Sequence, residues 1–190
     1  MCKAKRRTVI TVTAAAAVLL AAALTVTFLT SGKNNASATN SVEYPAGHRP
    51  AAPDVTGTSL TGATIKLSSY RGKIVVLNFW GSWCSPCRDE APTLAVLDEQ
   101  YAAKGVAFLG DDVGDTPTNA LAFIHSVGIT YPSINDPGYA VVQAFSQVAP
   151  VSDTPTTVVI DKTGHVAAMV VGTVTYSQMT TLLRDAAVTQ

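Results

Sequence analysis

Charged residues are few. Only 14% of the 190 positions are Asp, Glu, Lys or Arg, and 13 bases balance 13 acids for a formal net charge of zero. A chain with this balance lacks the basic footprint that a nucleic-acid partner requires. Little charge combined with 47% apolar residues also excludes disorder as the main state. Three cysteines are too few to staple a small disulfide scaffold. No internal repeat is present, and the length suits one ordinary domain with an appendage. The mean hydropathy of +0.26 is high for such a domain, so one segment must be unusually apolar.

Acids are missing altogether from the first 38 positions, where five bases lie: Lys3, Lys5, Arg6, Arg7 and Lys33. The other eight bases face all 13 acids, so the neutral total divides into +5 and −5. Thr8 to Thr30 is uncharged and built from Ala, Val, Leu, Ile, Thr and Phe28. As a helix it rises about 34 Å, enough to cross a hydrocarbon core of about 30 Å. The bases at residues 1–7 form a cytoplasmic segment by the positive-inside rule, which puts everything after residue 30 outside. Residues 8–30 read as a membrane anchor. The alternative is a signal peptide cleaved at Ala36-Ser37-Ala38, near Ala38, leaving a secreted domain. Cys2 is not preceded by a lipoprotein pattern. Residues 31–52, rich in Asn, Ser, Ala, Thr and Pro, read as a flexible linker in which His48 is exposed.

Residues 53–190 are enough for one hydrophobic core. Val55–Leu60 and Ala63–Leu67 flank Thr61-Gly62 as a hairpin. Lys73–Trp80 holds a near-continuous apolar run, the mark of a strand buried on both faces. Helical spacing at Leu94, Leu97 and Tyr101 predicts a helix over Pro86–Ala103. A strand over Val106–Gly110, a helix from Pro117 to Gly128, a strand at Tyr131–Ile134 and a helix over Tyr139–Phe145 follow. Thr156–Ile160 and His165–Val171 form a hairpin around Asp161-Lys162-Thr163-Gly164, and a last helix covers Tyr176–Ala187. Strands alternating with helices and closing on a hairpin indicate an α/β sheet covered on two faces.

Trp83-Cys84-Ser85-Pro86-Cys87 stands where the buried strand ends and a helix begins. The first helical turn offers unpaired N–H groups and the positive end of the helix dipole, and both favour a thiolate. Cys84, at the exposed edge of that turn, is expected to have a depressed pKa; such motifs reach about 3.5–7.5. Cys87 lies one turn inward, and Pro86 costs nothing where an N–H would be unpaired anyway. Half a zinc site and a structural disulfide without chemistry are the alternatives. Zinc needs two more ligands, whereas Cys2 is across the membrane or removed and His125 and His165 sit singly, as surface or packing residues.

The run from Asn78 to Pro92, with Ala52-Pro53-Asp54, Ser69-Tyr70-Arg71-Gly72-Lys73 and Asp153-Thr154-Pro155-Thr156 onward, resembles the TlpA/ResA-like branch of the thioredoxin superfamily. The resemblance spans about residues 52–172. It implies a thioredoxin fold: a central mixed sheet with flanking helices, an N-terminal β-hairpin and a central helical insertion at residues 112–148. It also implies an extracytoplasmic protein disulfide reductase that exchanges a Cys84–Cys87 dithiol with partner proteins and uses neither metal nor other cofactor. Cys84 becomes the attacking thiolate and Cys87 the resolving thiol. Pro155 matches a cis-proline facing the motif, with the Thr154 backbone pairing substrate. Glu90 matches a buried acid that tunes the thiols, although a first-turn glutamate also suits the helix dipole. Pro92 is expected to kink the helix, Asn78 stands where cytoplasmic thioredoxins carry aspartate, and Trp80 and Trp83 pack around the site. The implied electron donor is a membrane-integral thiol carrier, and the leading substrate is apocytochrome c. The runner-up is an oxidant for secreted proteins. A peroxiredoxin-like peroxidase is a second class, but those enzymes carry Thr three residues before the reactive cysteine, where this chain has Gly81. A non-catalytic binding module is the third.

Overall fold

The computed structural model describes residues 40–188. The basic segment 1–7, the apolar span 8–30, Cys2 and the Ala36-Ser37-Ala38 site lie outside the described residues. No helix among the described residues is long and apolar enough to cross a membrane.

Seven consecutive buried residues, Ile74–Trp80, form the central strand, and burial on both faces is what their apolar run requires. Around it the chain forms β1 (Asn40–Glu43), β2 (Thr56–Thr58), β3 (Thr64–Lys66), the central strand as β4, α1 (Ser85–Tyr101) and β5 (Val106–Val113). It continues through α2 (Pro117–Val127), β6 (Ser133–Asp136), α3 (Ala140–Phe145), β7 (Thr156–Ile160), β8 (Val166–Val171) and α4 (Tyr176–Ala186). Six strands make one mixed sheet in the order β1-β8-β7-β4-β5-β6, and β2 and β3 pair separately as the expected hairpin. β4 runs parallel to β5 and antiparallel to β7, and β5 runs parallel to β6.

Alternation along β4 sorts the core into two layers. Val76 and Trp80 pack with Leu94 and Leu97 of α1, Phe123 of α2, and Met179 and Leu183 of α4. Val75, Leu77 and Phe79 pack with Val55 and Ile65 of the hairpin region, Ile134 of β6 and Phe145 of α3. The helices start where the chain supplies caps. Thr116 and Thr175 accept from Asn119 N and Gln178 N at 3.4 and 3.2 Å. α2 stops at Gly128, whose φ of 76° lies in the left-handed region. Pro92 falls inside α1.

The structure corrects three expectations. Residues 31–52 are not a linker throughout: Asn40–Glu43 is an edge strand in register with β8, from Asn40↔Val171 to Glu43↔Ala168. Beyond it Arg49 is 8% exposed and bonds Asp161 Oδ2 (3.1 Å), Val188 O (3.0 Å), Asp185 O (2.9 Å) and Tyr44 O (3.2 Å). A polar edge strand shows little apolar periodicity, because its backbone partner lies at the far end of the chain. β5 does not stop at Gly110 but runs on through Asp111 and Asp112. Gly110 is there for close approach: a Cβ would meet Trp80 Nε1 at 2.5 Å and clash with Ser133 Oγ. The strand expected inside the insertion is present as β6 and forms the sixth strand at the sheet edge. That strand begins at Ser133 rather than Tyr131. Pro132 has no N–H to donate, and its carbonyl accepts from Gly110 N at 2.9 Å.

Candidate active site

β4 ends at Trp80, and Gly81-Ser82-Trp83 turns the chain into α1. Two hydrogen bonds fasten this turn to the end of β5. Ser82 N donates to Asp115 Oδ2 at 2.8 Å, and Trp83 Nε1 donates to Val113 O at 3.2 Å. The indole lies across Gly81, where a Cβ would meet Trp83 Nε1 at 2.5 Å. A threonine at this position has no room unless Trp83 moves. Trp83 is 59% exposed and presents a fixed aromatic surface rather than packing inward, while Trp80 is 1% exposed in the core.

Cys84 caps α1, and its Sγ accepts from Cys87 N at 3.1 Å. The contact places the sulfur at the N-terminus of α1, where unpaired N–H groups and the helix dipole meet it. Cys84 and Cys87 are joined in a disulfide with Cα atoms 5.3 Å apart, and Pro86 occupies the first turn between them. One expectation is corrected: in the disulfide form Cys84 is not on an exposed edge but 4% exposed, close to the 2% of Cys87. Its sulfur folds over the first turn toward Cys87 N, so the exposed part of the motif is Trp83, Ser85 and Pro86.

Glu90 lies on α1 one turn beyond Cys87 and is 3% exposed. Its Oε1 accepts from Asn78 Nδ2 at 2.7 Å and its Oε2 from Val174 N at 2.9 Å. Burial pushes its carboxyl up from 4.5 to about 7, against the opposing pull of those two donors. Asn78 also donates to Thr157 Oγ1 of β7 at 3.0 Å. An amide suits this position because it donates to the carboxylate. An aspartate there would set two carboxylates against each other in a buried space.

The Thr154–Pro155 peptide bond is cis. Thr156, directly after it, pairs with Phe79 of β4, so Pro155 stands level with Trp80, where the chain leaves for Cys84. The Thr154 N–H already donates to Asp153 Oδ1 at 2.8 Å, and its hydroxyl is buried without a partner. His48 and His125 are exposed and His165 is half-buried, none of them beside the cysteines in the fold's element order.

Four buried acids escaped the sequence reading. Asp136 caps α3, accepting from Ala140 N (2.7 Å) and Val141 N (2.9 Å). Asp111 has no hydrogen-bond donor and is pushed well above the usual carboxylate range by burial and by the charges of Asp136 and Asp112. Burial and the charges of Asp115 and Asp136 push Asp112 up to about 7. Burial also acts on Asp115, but hydrogen bonds from Ser82 and Thr116 outweigh it and hold the carboxyl low. The signal was present in Asp111-Asp112-Val113-Gly114-Asp115, three acids closing a buried strand.

A model of the AhpC/TSA family matches residues 49–169. Thiol-disulfide oxidoreductase ResA of Geobacillus kaustophilus is 40% identical over 124 residues, 65% of this chain and 69% of that protein. ResA of Bacillus subtilis is 35% identical over 128 residues, 67% of this chain and 69% of that one. Among solved structures, a secreted thiol-disulfide isomerase from Corynebacterium glutamicum aligns with a TM-score of 0.73 at 33% identity, covering 80% of this chain and 95% of that one. A DsbF homologue from Corynebacterium diphtheriae aligns with a TM-score of 0.70 at 33% identity, covering 80% and 96%. With its thioredoxin-like fold and its joined Cys84–Cys87 pair, the chain belongs to the AhpC/TSA family of the thioredoxin superfamily and is a thiol-disulfide oxidoreductase of the ResA/DsbE type.

Proposed function

We propose that the protein works outside the cytoplasm as a reductant of protein disulfides, held at the membrane by residues 8–30. Electrons reach Cys84–Cys87 from a membrane-integral thiol carrier, and the haem-attachment cysteines of apocytochrome c receive them. In the reduced protein the Cys84 thiolate attacks one sulfur of the substrate disulfide. An S–S bond forms to that sulfur, and the other substrate sulfur leaves as a thiolate. Cys87, deprotonated, then attacks Cys84 Sγ and releases the second substrate thiol. Two electrons have passed to the substrate, and Cys84–Cys87 is oxidised. Pro155 and the Thr154 carbonyl border the site where the substrate chain lies, Trp83 and Pro86 shape its surface, and no further cofactor takes part.

The observation that carries the reducing direction is Glu90, a 3% exposed carboxyl one helical turn from Cys87. Its carboxyl ionises as pH passes about 7, and a negative charge one helical turn from Cys87 then disfavours the thiolate and so favours the disulfide, which lowers the reduction potential. The ResA names of relatives at 34–40% identity support the same reading. An oxidising role is the second reading. It is favoured by the Cys87 N–H donating to Cys84 Sγ at 3.1 Å, a contact that stabilises the reduced form. The reduction potential separates the two: a value well above about −200 mV rejects the reductant, since strong oxidants lie near −120 mV. Trapping with Cys87→Ala in the exporting cell then names the substrate, because the mixed disulfide on Cys84 cannot resolve. A trapped set without cytochrome precursors removes apocytochrome c from the reading.

A further inference from the structure

An open groove of about 420 Å³ adjoins the active-site turn between α1 and α2, lined by Ser82, Arg88, Asn119, Ala122, Phe123 and Ser126. Its wall is a stack that runs from core to surface. Trp80 packs face to face on Phe123, with ring centroids 4.9 Å apart and planes 18° apart. Arg88 covers Phe123 from outside, with its guanidinium carbon 4.8 Å from the ring centroid. Arg88 Nη1 also donates to Ser126 Oγ at 3.0 Å. A guanidinium held over an aromatic ring and tethered by one hydrogen bond loses little freedom on binding, and its remaining N–H groups match a carboxylate.

The cation has no internal use for that charge. Among the described residues Arg88 takes part in no ion pair. Asp115, which holds the turn, is committed to Ser82 N at 2.8 Å, Thr116 N at 2.7 Å and the Asn119 side chain. Asp89, next to Arg88 on α1, is exposed and takes part in no ion pair among the described residues. Ser82 lines the groove and precedes Cys84 by two residues, so a chain lying in the groove is led toward the sulfur that exchanges. Charge complementarity therefore selects the occupant.

We propose that Arg88, stacked on Phe123, docks an acidic residue of the substrate polypeptide close to the cysteine that exchanges with Cys84. The contact sets substrate preference on the α2 side of the motif, opposite in the sheet order to Pro155. It rests on the reading of Cys84 as the attacking sulfur.

The test uses the reduced full-length protein and disulfide peptides identical but for one residue flanking the attacked cysteine, Glu or Lys, placed before it in one pair and after it in another. Each second-order rate constant is divided by that of the same peptide with dithiothreitol, which removes the peptide's own reactivity. The Glu-to-Lys ratio also cancels any effect of Arg88 on the Cys84 thiolate. The expected ratio is roughly fivefold for at least one placement at low salt and shrinks as salt is added. Arg88→Gln brings it close to one, and Arg88→Glu inverts it. A wild-type ratio near one in both placements overturns the proposal, as does a ratio that neither variant changes. Cys84→Ser serves as the separate check: continued exchange in that variant overturns the attacking-sulfur reading and leaves the Arg88 ratio to be judged by itself against the same criteria.

Discussion

Replacing Glu90 with Gln separates the ionisation of a buried carboxyl from its shape. Burial lifts this carboxyl from 4.5 to about 7, although Val174 N and the Asn78 amide donate to it. In the unfolded chain it titrates near its ordinary value. Below pH 4.5 both states are protonated, and Glu90 makes stability insensitive to pH. Between 4.5 and about 7 the unfolded chain ionises first, so stability falls as pH rises. Above about 7 the full penalty is in place, and at about 1.4 kcal/mol per pH unit it comes to about 3 kcal/mol. Glutamine removes this slope. It keeps an acceptor for one donor but turns an N–H toward the other, a constant cost of about 1–3 kcal/mol. Urea denaturation of the oxidised protein from about pH 4 to about pH 9 therefore shows a variant less stable than wild type in acid, with the gap closing by about 3 kcal/mol toward alkaline pH. Asp111 and Asp112 titrate in both proteins and cancel in the difference. A stability difference that stays flat across that range refutes the claim that burial raises the Glu90 carboxyl to about 7.

Arg49→Met takes the cation from Asp161 Oδ2, leaving the buried carboxylate only its Oδ1 bonds from Thr163 and His165, and frees two carbonyls at the C-terminal end. A loss of about 3–5 kcal/mol is expected in thermal or chemical denaturation, and adding Asp161→Asn recovers part of it. Asp111→Asn is expected to change stability at neutral pH by less than about 1 kcal/mol, because burial and its neighbours' charges already disfavour the ionised carboxyl that the amide replaces. Asp136→Asn costs about 1–2 kcal/mol more than that, since it weakens two cap bonds of α3. Equal effects from the two in parallel melts contradict the raised carboxyl of Asp111. Gly81→Thr drives a Cβ into the Trp83 ring, so it is expected to alter tryptophan emission and cost about 1–3 kcal/mol without creating fast oxidation by peroxide. Unchanged emission argues against the ring lying over Gly81.

What was legible in the chain is what local chemistry writes locally. The apolar run of β4, the turn at Gly81, the cysteines one helical turn apart and Glu90 one turn further on the same face all follow from spacings of a few residues. Those spacings locate the redox pair and the carboxyl behind it without any tertiary information. The motifs around Pro155 carried the resemblance, but only the pairing of Thr156 with Phe79 brings that proline level with the end of β4. Burial of the Cys84 sulfur and exposure of Trp83 were also invisible, because accessibility depends on which elements cover a residue and not on its neighbours in the chain. The same holds for β1, whose partner β8 is remote in sequence, and for Asp111 and Asp112, whose carboxyls are raised first by burial and then by neighbouring carboxylates that include Asp136 at the end of β6. Arg88 reads in the sequence as one more exposed base on a helix. Only the packing of Trp80 on Phe123 sets a flat ring beneath it and turns that base into part of a groove. The sequence by itself determined the chemistry and the strand-to-helix junction that bears it, since both are short-range. Tertiary structure decided the surroundings of that chemistry, because burial, charge neighbours and grooves arise between segments that the chain order keeps apart.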